Sequence, residues 1–384
     1  MKDKILIVYH YVAHYREAVF NYLCKKDSTS PYEYFIAAGE LSNIPSIKLI
    51  DLERYPDISR NWVGLKNFWI TKDVLWQKGL LKEIIRGKYK AIIFLGNMYF
   101  ISTWIACFLC KMLRIKIYMW THGLKYNEMG LRWLFRKFFY MLSDGLFLYG
   151  VRAKNILEAK GMNKKKLHII YNSLDFEKQK KLYNDLIDKK KASFQKTASS
   201  KFERIIIYVG RITRDKKLDK AVLILSELNR YKKKYRLIFV GSGPEIGALK
   251  KLAENYNVLE SIDFIGPCYD EVLLAKYIML ADVMLVPGDI GLTAIHAMTY
   301  GTPVVTHDKF DTHKPECEAI IDGETGSFVN IDDLETTMRH IEYWSKRKQA
   351  NPSAMGEICR AKIDKYYNPI YQKKLIESVL SDTL

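Results

Sequence analysis

Short uninterrupted apolar runs alternate with amphipathic stretches along most of the chain. Lys4–Tyr9 (KILIVY) is the first run, and Ala91–Leu95 and Lys116–Trp120 are similar. Runs of this length are typical of parallel strands that are covered on both faces. Between them, Arg16–Lys25 and Leu131–Leu142 have the spacing of helices. Strands that alternate with helices predict a parallel, doubly wound sheet.

Weaker patterns complete the first half of the chain. We predict short strands at Tyr34–Ala37, Lys48–Leu52, Gly145–Tyr149 and His168–Tyr171. We predict one further helix at Val74–Ile85. One segment, Ala91–Cys110, is uncharged for about 20 residues and is long enough to span a bilayer. Because Gly96-Asn97 interrupts it, we favour a buried strand, a tight turn and an apolar helix over a membrane span.

The second half repeats the alternation after a change of composition. Residues 173–203 are rich in lysine and end in the polar cluster Lys196–Lys201, so we predict a linker with a surface helix there. Strands then follow at Arg204–Val209, Leu237–Val240, Ile262–Ile265, Val283–Val286 and Pro303–Val305. The predicted organisation is one Rossmann-like domain over 1–172, a second over 204–354, and C-terminal helices over 355–384 that cross back.

Composition and charge narrow the classes of function. Hydrophobic residues make up 48% of the 384 positions, which excludes a disordered or collagen-like chain. With 61 Lys+Arg and 43 Asp+Glu the net charge is +18, which favours an anionic partner: nucleic acid, a phospholipid surface or a phosphorylated substrate. A basic surface that is merely solvated is the alternative. The lysine-rich run lacks interleaved aromatic residues, so we expect no nucleic-acid binding.

Cysteine usage and the first residues predict a cytoplasmic protein. Six cysteines are too few for a disulfide framework and indicate a reducing compartment. The start, MKDKILIVYH, lacks the pattern of a secretory signal. Cys107-x-x-Cys110 has no second Cys or His pair, so we expect no metal site.

Four segments of the second half carry candidate chemistry. In Tyr208–Lys216 (YVGRITRDK), Arg211 and Lys216 follow the carboxyl end of a predicted strand, where open α/β sheets bind ligands. A guanidinium beside an ammonium suits a diphosphate. In Val286–Val305 (VPGDIGLTAIHAMTYGTPVV), a glycine-rich turn opens a helix, whose first N–H groups form an anion site. The other two segments are FVGSGPE, from 239 to 245, and EAIIDGETG, from 318 to 326.

In order and spacing these segments resemble the nucleotide-binding half of GT-B glycosyltransferases of the family 4 type (glycosyl transferases group 1). The resemblance covers Tyr208–Val329, and Tyr171–Asp175 (YNSLD) resembles the Asn-Gly-Val-Asp segment of that family. It implies two Rossmann-like doubly wound domains that face a central cleft, with a C-terminal helix that crosses back. It also implies metal-independent transfer of a sugar from a UDP- or GDP-sugar, without a cofactor and with retention at the anomeric carbon.

The resemblance also implies roles for single residues. Arg211 and Lys216 correspond to the clamp on the donor diphosphate. The helix start that meets the same diphosphate corresponds to Gly291, Leu292 and Thr293. The nucleoside-binding positions correspond to Gly241, Pro267, Cys268 and Tyr269. The histidine that faces the donor sugar corresponds to His122.

One departure from the family pattern concerns two glutamates, eight positions apart, in the glycine-loop helix. Here those positions hold Gly288 and His296. His296 replaces the glutamate that contacts the ribose hydroxyls, and it either binds them through a ring nitrogen or packs against the strand. Gly288 cannot contact the donor sugar, so Asp289 beside it becomes the catalytic candidate together with His122.

The first domain is expected to bind the acceptor. His14 and Arg16 lie in the loop after the first strand, and Asn97 follows the strand Ala91–Leu95. Arg16 has an alternative role in pairing with Glu17 or a helix end. We expect the acceptor to be a glycan, such as a lipid-linked saccharide of bacterial surface polysaccharide synthesis. We also expect the protein to attach peripherally to the anionic inner face of the cytoplasmic membrane. The alternatives are a nucleotide-sugar epimerase of GT-B fold and a nucleotide-sugar-binding pseudoenzyme.

Overall fold

The computed structural model describes residues 2–42, 47–124, 126–193, 203–231 and 234–384. The chain forms two compact units, each built around its own sheet. The first comprises Met1–Asp175 with Asn368–Leu384, and the second comprises Phe176–Tyr367.

The first unit is built on an eight-stranded sheet. Its strands are β1 (Asp3–Val8), β2 (Tyr32–Gly39), β3 (Trp62–Trp69), β4 (Leu75–Lys78), β5 (Ala91–Leu95), β6 (Lys116–Thr121), β7 (Gly145–Leu148) and β8 (Leu167–Ile169). Their order in the sheet is β4-β3-β2-β1-β5-β6-β7-β8, and the neighbouring strands are parallel except β3 and β4. Its helices before residue 176 are α1 (Glu17–Cys24), α2 (Pro56–Arg60), α3 (Leu80–Gly87), α4 (Ile101–Met112), α5 (Gly130–Met141) and α6 (Val151–Ala159).

The central strand β1 shows why its sequence has no polar interruption. Ile5 and Ile7 belong to the core on one face of the sheet, whereas Leu6 and Val8 belong to the core on the other. Side chains alternate along a strand, so helices on both faces require apolar residues at every position. The prediction of a buried parallel strand is confirmed.

Two predicted elements of this unit are wrong in part. Lys48–Leu52 is not a strand, and only Leu49 forms an isolated bridge, with Ala13. The predicted helix Val74–Ile85 begins as β4, which pairs with β3 as an antiparallel edge hairpin. Gly79, with a φ of 101°, separates β4 from α3 in a conformation that favours glycine. An apolar run of this length does not by itself distinguish a strand from a helix.

The second unit has a six-stranded parallel sheet in the order β11-β10-β9-β12-β13-β14. The strands are β9 (Arg204–Val209), β10 (Tyr235–Val240), β11 (Ile262–Gly266), β12 (Val283–Val286), β13 (Val304–His307) and β14 (Gly326–Val329). The helices are α7 (Phe176–Ser193), α8 (Leu218–Arg230), α9 (Ile246–Asn255), α10 (Glu271–Leu280), α11 (Leu292–Thr299), α12 (Leu334–Ala350) and α13 (Pro352–Tyr366). The last helix of the chain, α14 (Pro369–Ser381), belongs to the first unit.

The boundaries of the units differ from the predicted domain limits. Helix α7, predicted as part of a linker, packs against α10 and α11 in the second unit. The cluster Lys196–Lys201 lies outside the described residues. Helix α13 also packs on α11, because Gly301 and Gly356 allow a close approach of the two backbones. The chain therefore returns to the first unit at Asn368, and only α14 crosses back.

The apolar segment Ala91–Cys110 divides into β5 and most of α4, as predicted. Within the parts of the chain that the structure describes, no helix has both the length and the apolar character that a membrane crossing requires.

Candidate functional site

The order of the strands in the second unit reverses between β9 and β12. Strands β9, β10 and β11 extend to one side of this point, and β12, β13 and β14 extend to the other. The loops after β9 and β12 therefore diverge at the carboxyl edge and leave a crevice, which is the usual ligand site of open parallel sheets. Arg211 and Lys216 follow β9, and the glycine-rich turn 287–291 follows β12.

Lys216 connects the two loops directly. Its Nζ donates a hydrogen bond to the backbone oxygen of Asp289 at 2.7 Å and lies 3.2 Å from the Asp215 carboxylate. Burial raises the pKa of Asp215, but hydrogen bonds from Thr213 and Lys216 and the ammonium charge lower it to a net value below the ordinary one. Arg211 is exposed at the same sheet edge. Both predicted clamp cations thus lie in the loop that follows β9, and Lys216 reaches across to the turn after β12.

Gly288 has no room for a side chain. A Cβ atom built on it would lie 2.6 Å from Lys216 Cα and closer still to the backbone oxygen of Asp215. Both neighbours are backbone atoms, which cannot rotate away. The glutamate that the family pattern has at this position is therefore excluded by the close approach of the loop after β9.

The start of α11 lies in the same crevice. Gly291 is its N-terminal capping residue, and the Thr293 hydroxyl donates to the backbone oxygen of Val209 at 3.1 Å, which fixes the first turn against the end of β9. The backbone N–H groups of Leu292 and Thr293 belong to this first turn, which has no intrahelical acceptors for them. Together with the helix dipole, these groups favour an anion opposite the two cations.

Two buried histidines support the turn that contains Asp289, and the sequence analysis did not identify either. His313 Nδ1 accepts a hydrogen bond from the Ile290 N–H at 3.1 Å, and its Nε2 donates to the backbone oxygen of His307 at 2.9 Å. The two rings stack with centroids 3.9 Å apart. His307 Nε2 lies 3.7 Å from Asp289 Oδ1. Their one sequence signal is their place in the segment that follows the predicted strand Pro303–Val305.

His307 is neutral at neutral pH. Burial, followed by the neighbouring His313, lowers its pKa to about 4. Its Nδ1 accepts a hydrogen bond from the Lys309 N–H at 3.0 Å, so the hydrogen of the neutral ring is on Nε2, the atom that faces Asp289. The neutral ring therefore adds no positive charge beside the Asp289 carboxylate.

His296 is paired with a carboxylate that the sequence analysis missed. Its Nε2 lies 2.9 Å from Oε1 of Glu271, the first residue of α10. The same oxygen accepts hydrogen bonds from the Tyr300 hydroxyl at 2.6 Å and from Gln179 Nε2 at 3.0 Å. His296 therefore does more than pack against the strand.

The other nucleoside-binding candidates lie in the loops after β10 and β11. Tyr269 is 71% exposed, and Pro267 and Cys268 precede it in the loop that leads to α10. Gly241 has a φ of 152°, and a Cβ on it would lie 2.9 Å from the carbonyl carbon of Gly210. The close packing of the ends of β9 and β10 thus gives a structural reason for this glycine.

In the first unit, Tyr149 connects two of the predicted residues. The ring of His122, which follows β6 and is exposed, lies 4.6 Å from the Tyr149 ring. Arg16 is buried, donates to Asn172 Oδ1 at 3.0 Å and to the Tyr149 hydroxyl, and stacks over the Trp120 ring. The guanidinium therefore belongs to a buried polar and aromatic cluster.

The other two acceptor candidates have structural hydrogen bonds. His14 Nδ1 lies 3.2 Å from the backbone oxygen of Lys48, and Asn97 Oδ1 accepts from the Tyr99 N–H at 3.1 Å. Nearby, His10 Nδ1 is buried without a hydrogen-bond partner in the described structure, and burial lowers the pKa of this histidine to about 4. Acceptor binding by His14, Arg16 and Asn97 stays a prediction.

Among the residues that the structure describes, no group of three or more His, Cys, Asp or Glu side chains is placed to hold a metal ion.

Solved structures with the same fold cover nearly the whole chain. The lipopolysaccharide outer core galactosyltransferase WaaB, in its apo form, has a TM-score of 0.70 at 14% identity and is matched over 99% of both chains. Anabaena HepE in complex with UDP has a TM-score of 0.70 at 13% identity, over 99% of this chain and 100% of that one. At such identities the similarity concerns the fold, which is that of the GT-B glycosyltransferases.

Sequence comparison adds a family match within that fold. Residues 189–361 match the family described as "Glycosyl transferases group 1". An uncharacterized 41.2 kDa protein in the cps region of Klebsiella pneumoniae is 27% identical over 198 residues, which are 50% of this chain and 50% of that protein. The chain thus matches about half the length of this curated relative.

Proposed function

We propose that this protein is a glycosyltransferase of the family 4 type that transfers a sugar from a nucleoside-diphosphate sugar to an acceptor hydroxyl. One observation carries the proposal: the Lys216–Asp289 hydrogen bond holds the cationic loop after β9 against the turn that opens α11. Two cations and a helix N-terminus thereby converge at the strand reversal. Few ligands other than a diphosphate ester use all three groups at once.

The same groups have a chemical role in transfer. As the bond between the anomeric carbon and the diphosphate oxygen breaks, negative charge accumulates on the leaving diphosphate. Lys216 and the N–H groups of Leu292 and Thr293 are held in place before this charge develops, and with Arg211 from the same loop they stabilise the transition state with little reorganisation. The acceptor hydroxyl supplies the new bond to the anomeric carbon and releases its proton. Retention of the anomeric configuration and independence of metal ions are part of the proposal.

The donor is proposed to be a UDP- or GDP-sugar. Support for a nucleotide sugar comes from the structures of Anabaena HepE, which were determined with UDP and with UDP-glucose. The cps-region relative supports an acceptor from surface polysaccharide synthesis, either a glycan or a lipid-linked glycan. We place the reaction in the cytoplasm, at the inner face of the cytoplasmic membrane.

An apolar surface on α4 and α5 supports peripheral membrane attachment. Trp104 of α4 stacks on Phe138 of α5 with centroids 5.9 Å apart, so the two helices are neighbours. Their exposed apolar side chains recur at helical spacing: Ile101, Ile105, Phe108 and Met112 on α4, and Leu131, Leu134, Phe135 and Phe138 on α5. Rows of exposed apolar side chains on a pair of neighbouring helices are typical of proteins that lie in the membrane interface.

The charges around this surface match an anionic lipid. Lys111 and Arg114, at the end of α4, are exposed. Arg132 and Arg136 are instead paired with Glu128, at 2.6 and 2.7 Å, so they contribute less positive charge than the sequence alone indicates. We therefore propose that insertion of the apolar side chains contributes most of the free energy of membrane binding, and that attraction to anionic headgroups contributes less.

The test of the function is release of the nucleoside diphosphate from candidate donors, measured with and without a lipid-linked saccharide fraction. A transferase releases UDP or GDP faster when the acceptor fraction is present, and Arg211→Ala abolishes that release. An epimerase converts the sugar without releasing the nucleotide. A pseudoenzyme binds the donor and does neither, and either of these two outcomes contradicts the proposal.

A further inference from the structure

The turn that opens α11 is bonded to the segment that follows β13. Ile290, in that turn, binds this segment through both of its backbone groups: its N–H donates to His313 Nδ1 at 3.1 Å, and its oxygen accepts from the Lys314 N–H at 2.9 Å. Ile290 and His313 are 1% and 3% exposed, so these bonds are shielded from water. The backbone at Ile290 therefore has little freedom to move.

The His313 ring connects this turn to the sheet. Its Nε2 donates to the backbone oxygen of His307, the last residue of β13, at 2.9 Å. The ring also stacks on the His307 ring, with centroids 3.9 Å apart. Strand β13 is buried and lies between β12 and β14. The ring of His313 thus fixes Ile290 relative to a rigid part of the second unit.

The directions of these bonds determine the protonation of the His313 ring. A backbone N–H only donates, so Nδ1 is an acceptor, and a backbone oxygen only accepts, so Nε2 carries the hydrogen. The ring is therefore neutral when it holds the turn. Burial and then His313 lower the pKa of His307, because a proton on one of two stacked rings opposes a proton on the other. Both rings are thus neutral in this arrangement.

We propose that His313 is a positioning residue for the donor diphosphate: it fixes Ile290, and through the residues on either side it places the groups that bind the anion. The proposal rests on the proposed function, but it concerns a side chain that is buried and does not itself contact the ligand. It makes donor affinity depend on the segment after β13 as well as on the loops after β9 and β12.

The two neighbours of Ile290 transmit the effect. Asp289 precedes it, and the backbone oxygen of Asp289 accepts the hydrogen bond from Lys216 Nζ at 2.7 Å. Gly291 follows it and is the N-terminal capping residue of α11. Because consecutive residues share rigid peptide planes, a rotation of the backbone at Ile290 moves both neighbours. Loss of the bond to His313 is therefore expected to displace the acceptor of Lys216 and the helix start together.

Two substitutions separate the two bonds of the ring. The side-chain amide of asparagine occupies about the place of Nδ1, whereas that of glutamine reaches the place of Nε2. His313→Asn therefore keeps an acceptor for the Ile290 N–H. His313→Gln keeps a donor for the His307 oxygen but leaves the Ile290 N–H without this acceptor. Glutamine is closer to histidine in volume than asparagine is, so a role in packing alone predicts the opposite order of effects.

The first measurement needs no ligand. In protein labelled with 15N-isoleucine, the Ile290 amide is assigned by the NMR signal that disappears in Ile290→Val, and its exchange in deuterated water is followed. The proposal requires slow exchange in the wild type and in His313→Asn, and exchange at least about tenfold faster in His313→Gln. Equal rates in the three proteins overturn the proposal, whatever the protein binds.

The second measurement is calorimetric titration of UDP and GDP. We expect His313→Asn to bind the nucleotide within about threefold of the wild type, and His313→Gln to bind it about tenfold more weakly, as for the loss of one buried hydrogen bond. Adding Lys216→Ala to His313→Gln should weaken binding by less than the product of the two single losses, because both changes act on one contact. The matched control is His340→Gln on α12, which alters a hydrogen bond to Ser327 and should bind as the wild type does.

The outcomes separate this proposal from the proposed function. Wild-type protein that binds neither UDP nor GDP overturns both. Nucleotide binding that is unchanged in His313→Gln overturns the positioning role alone. Equal losses in the two variants, or a greater loss in His313→Asn, show that the ring only fills space, which also overturns the role. If His313→Gln does not fold, His313→Asn decides: retained affinity supports the proposal, and a loss of about tenfold contradicts it.

Discussion

A Cβ atom on Gly288 would lie 2.6 Å from the Cα atom of Lys216. The turn after β12 and the loop after β9 therefore touch through their backbones at this point. The contact explains two features together: the absence of a glutamate at position 288, and the place of the Lys216 ammonium on the carbonyl of Asp289. The absence of a glutamate at position 288 is thus linked to the position of Lys216.

Gly288→Ala is expected to displace one loop from the other. The added methyl group overlaps backbone atoms, so we expect a loss of about 1–3 kcal/mol in the free energy of unfolding and a weakened Lys216–Asp289 contact. Urea denaturation and nucleotide titration measure the two effects. Gly247→Ala in α9 is the control, because its Cβ meets nothing within 4 Å and alanine favours a helix. Equal stability of the two variants would contradict the packing argument.

The buried His307 predicts a pH dependence of stability. The pKa of His307 is lowered from 6.5 to about 4 in the folded protein. Between these two pH values the unfolded chain therefore binds a proton at this residue and the folded chain does not. The stabilisation is complete above pH 6.5 and is lost as the pH falls towards 4, by up to about 3 kcal/mol.

Urea denaturation of the second unit between pH 7 and 4 measures this effect, and His307→Asn should have a shallower dependence than the wild type over that interval. Because the chain has two units, the transition must be assigned to the second one before the slopes are compared. Parallel slopes for the variant and the wild type would show that His307 does not carry the dependence.

Membrane attachment through α4 and α5 is tested by liposome flotation. We expect the wild type to float with anionic vesicles, and replacement of Leu134 and Phe135 by serine to abolish flotation, since each side chain is 61% exposed on the apolar surface. Phe68→Ser, on β3, is the matched control, because Phe68 is exposed elsewhere in the same unit. Equal recovery with neutral and anionic vesicles, or no recovery with either, removes the membrane from the account.

His122 is predicted to act on the reaction rather than on nucleotide binding. Its exposed ring lies against Tyr149, so His122→Ala removes little packing. We expect turnover to fall by about a hundredfold or more, as for loss of a group that acts near the transition state, while the dissociation constant of the free nucleoside diphosphate stays within about twofold. A variant that loses turnover and nucleotide affinity in parallel would indicate a general distortion instead.

The second unit could be predicted well from sequence because its signals are local. Each apolar run marks a strand, each glycine-rich segment marks a strand end, and parallel strands bring those ends to one edge. Gly241 and Gly288 show the physical reason: the backbones approach too closely for any side chain. The position of Arg211, Lys216 and the start of α11 at this edge of the sheet could therefore be predicted, whereas their role in binding stays a prediction.

The parts that escaped prediction depend on packing between distant segments. Glu271 lies 25 positions before His296, and nothing in either segment indicates that α10 and α11 bring them together. The edge hairpin β3–β4 and the membership of α7 and α13 in the second unit have the same cause. Arg16 follows a strand end, as expected for a residue that contacts a ligand. In the structure, however, tertiary contacts with Asn172 and Tyr149 bury its side chain, and the sequence does not indicate these contacts.

The most direct test of the central claim is calorimetric titration of UDP and GDP into the wild type, Arg211→Ala, Lys216→Ala and the control Lys251→Ala. Lys251 is an exposed cation on α9, so it matches the change of charge without touching the crevice. The account predicts that one of the two nucleotides binds the wild type, and that each clamp variant binds it about ten- to a hundredfold more weakly, since a charge-assisted hydrogen bond contributes about 1.5–3 kcal/mol. The control should bind as the wild type does. Unchanged affinity in both clamp variants would contradict the diphosphate site, and with it the proposed glycosyltransferase.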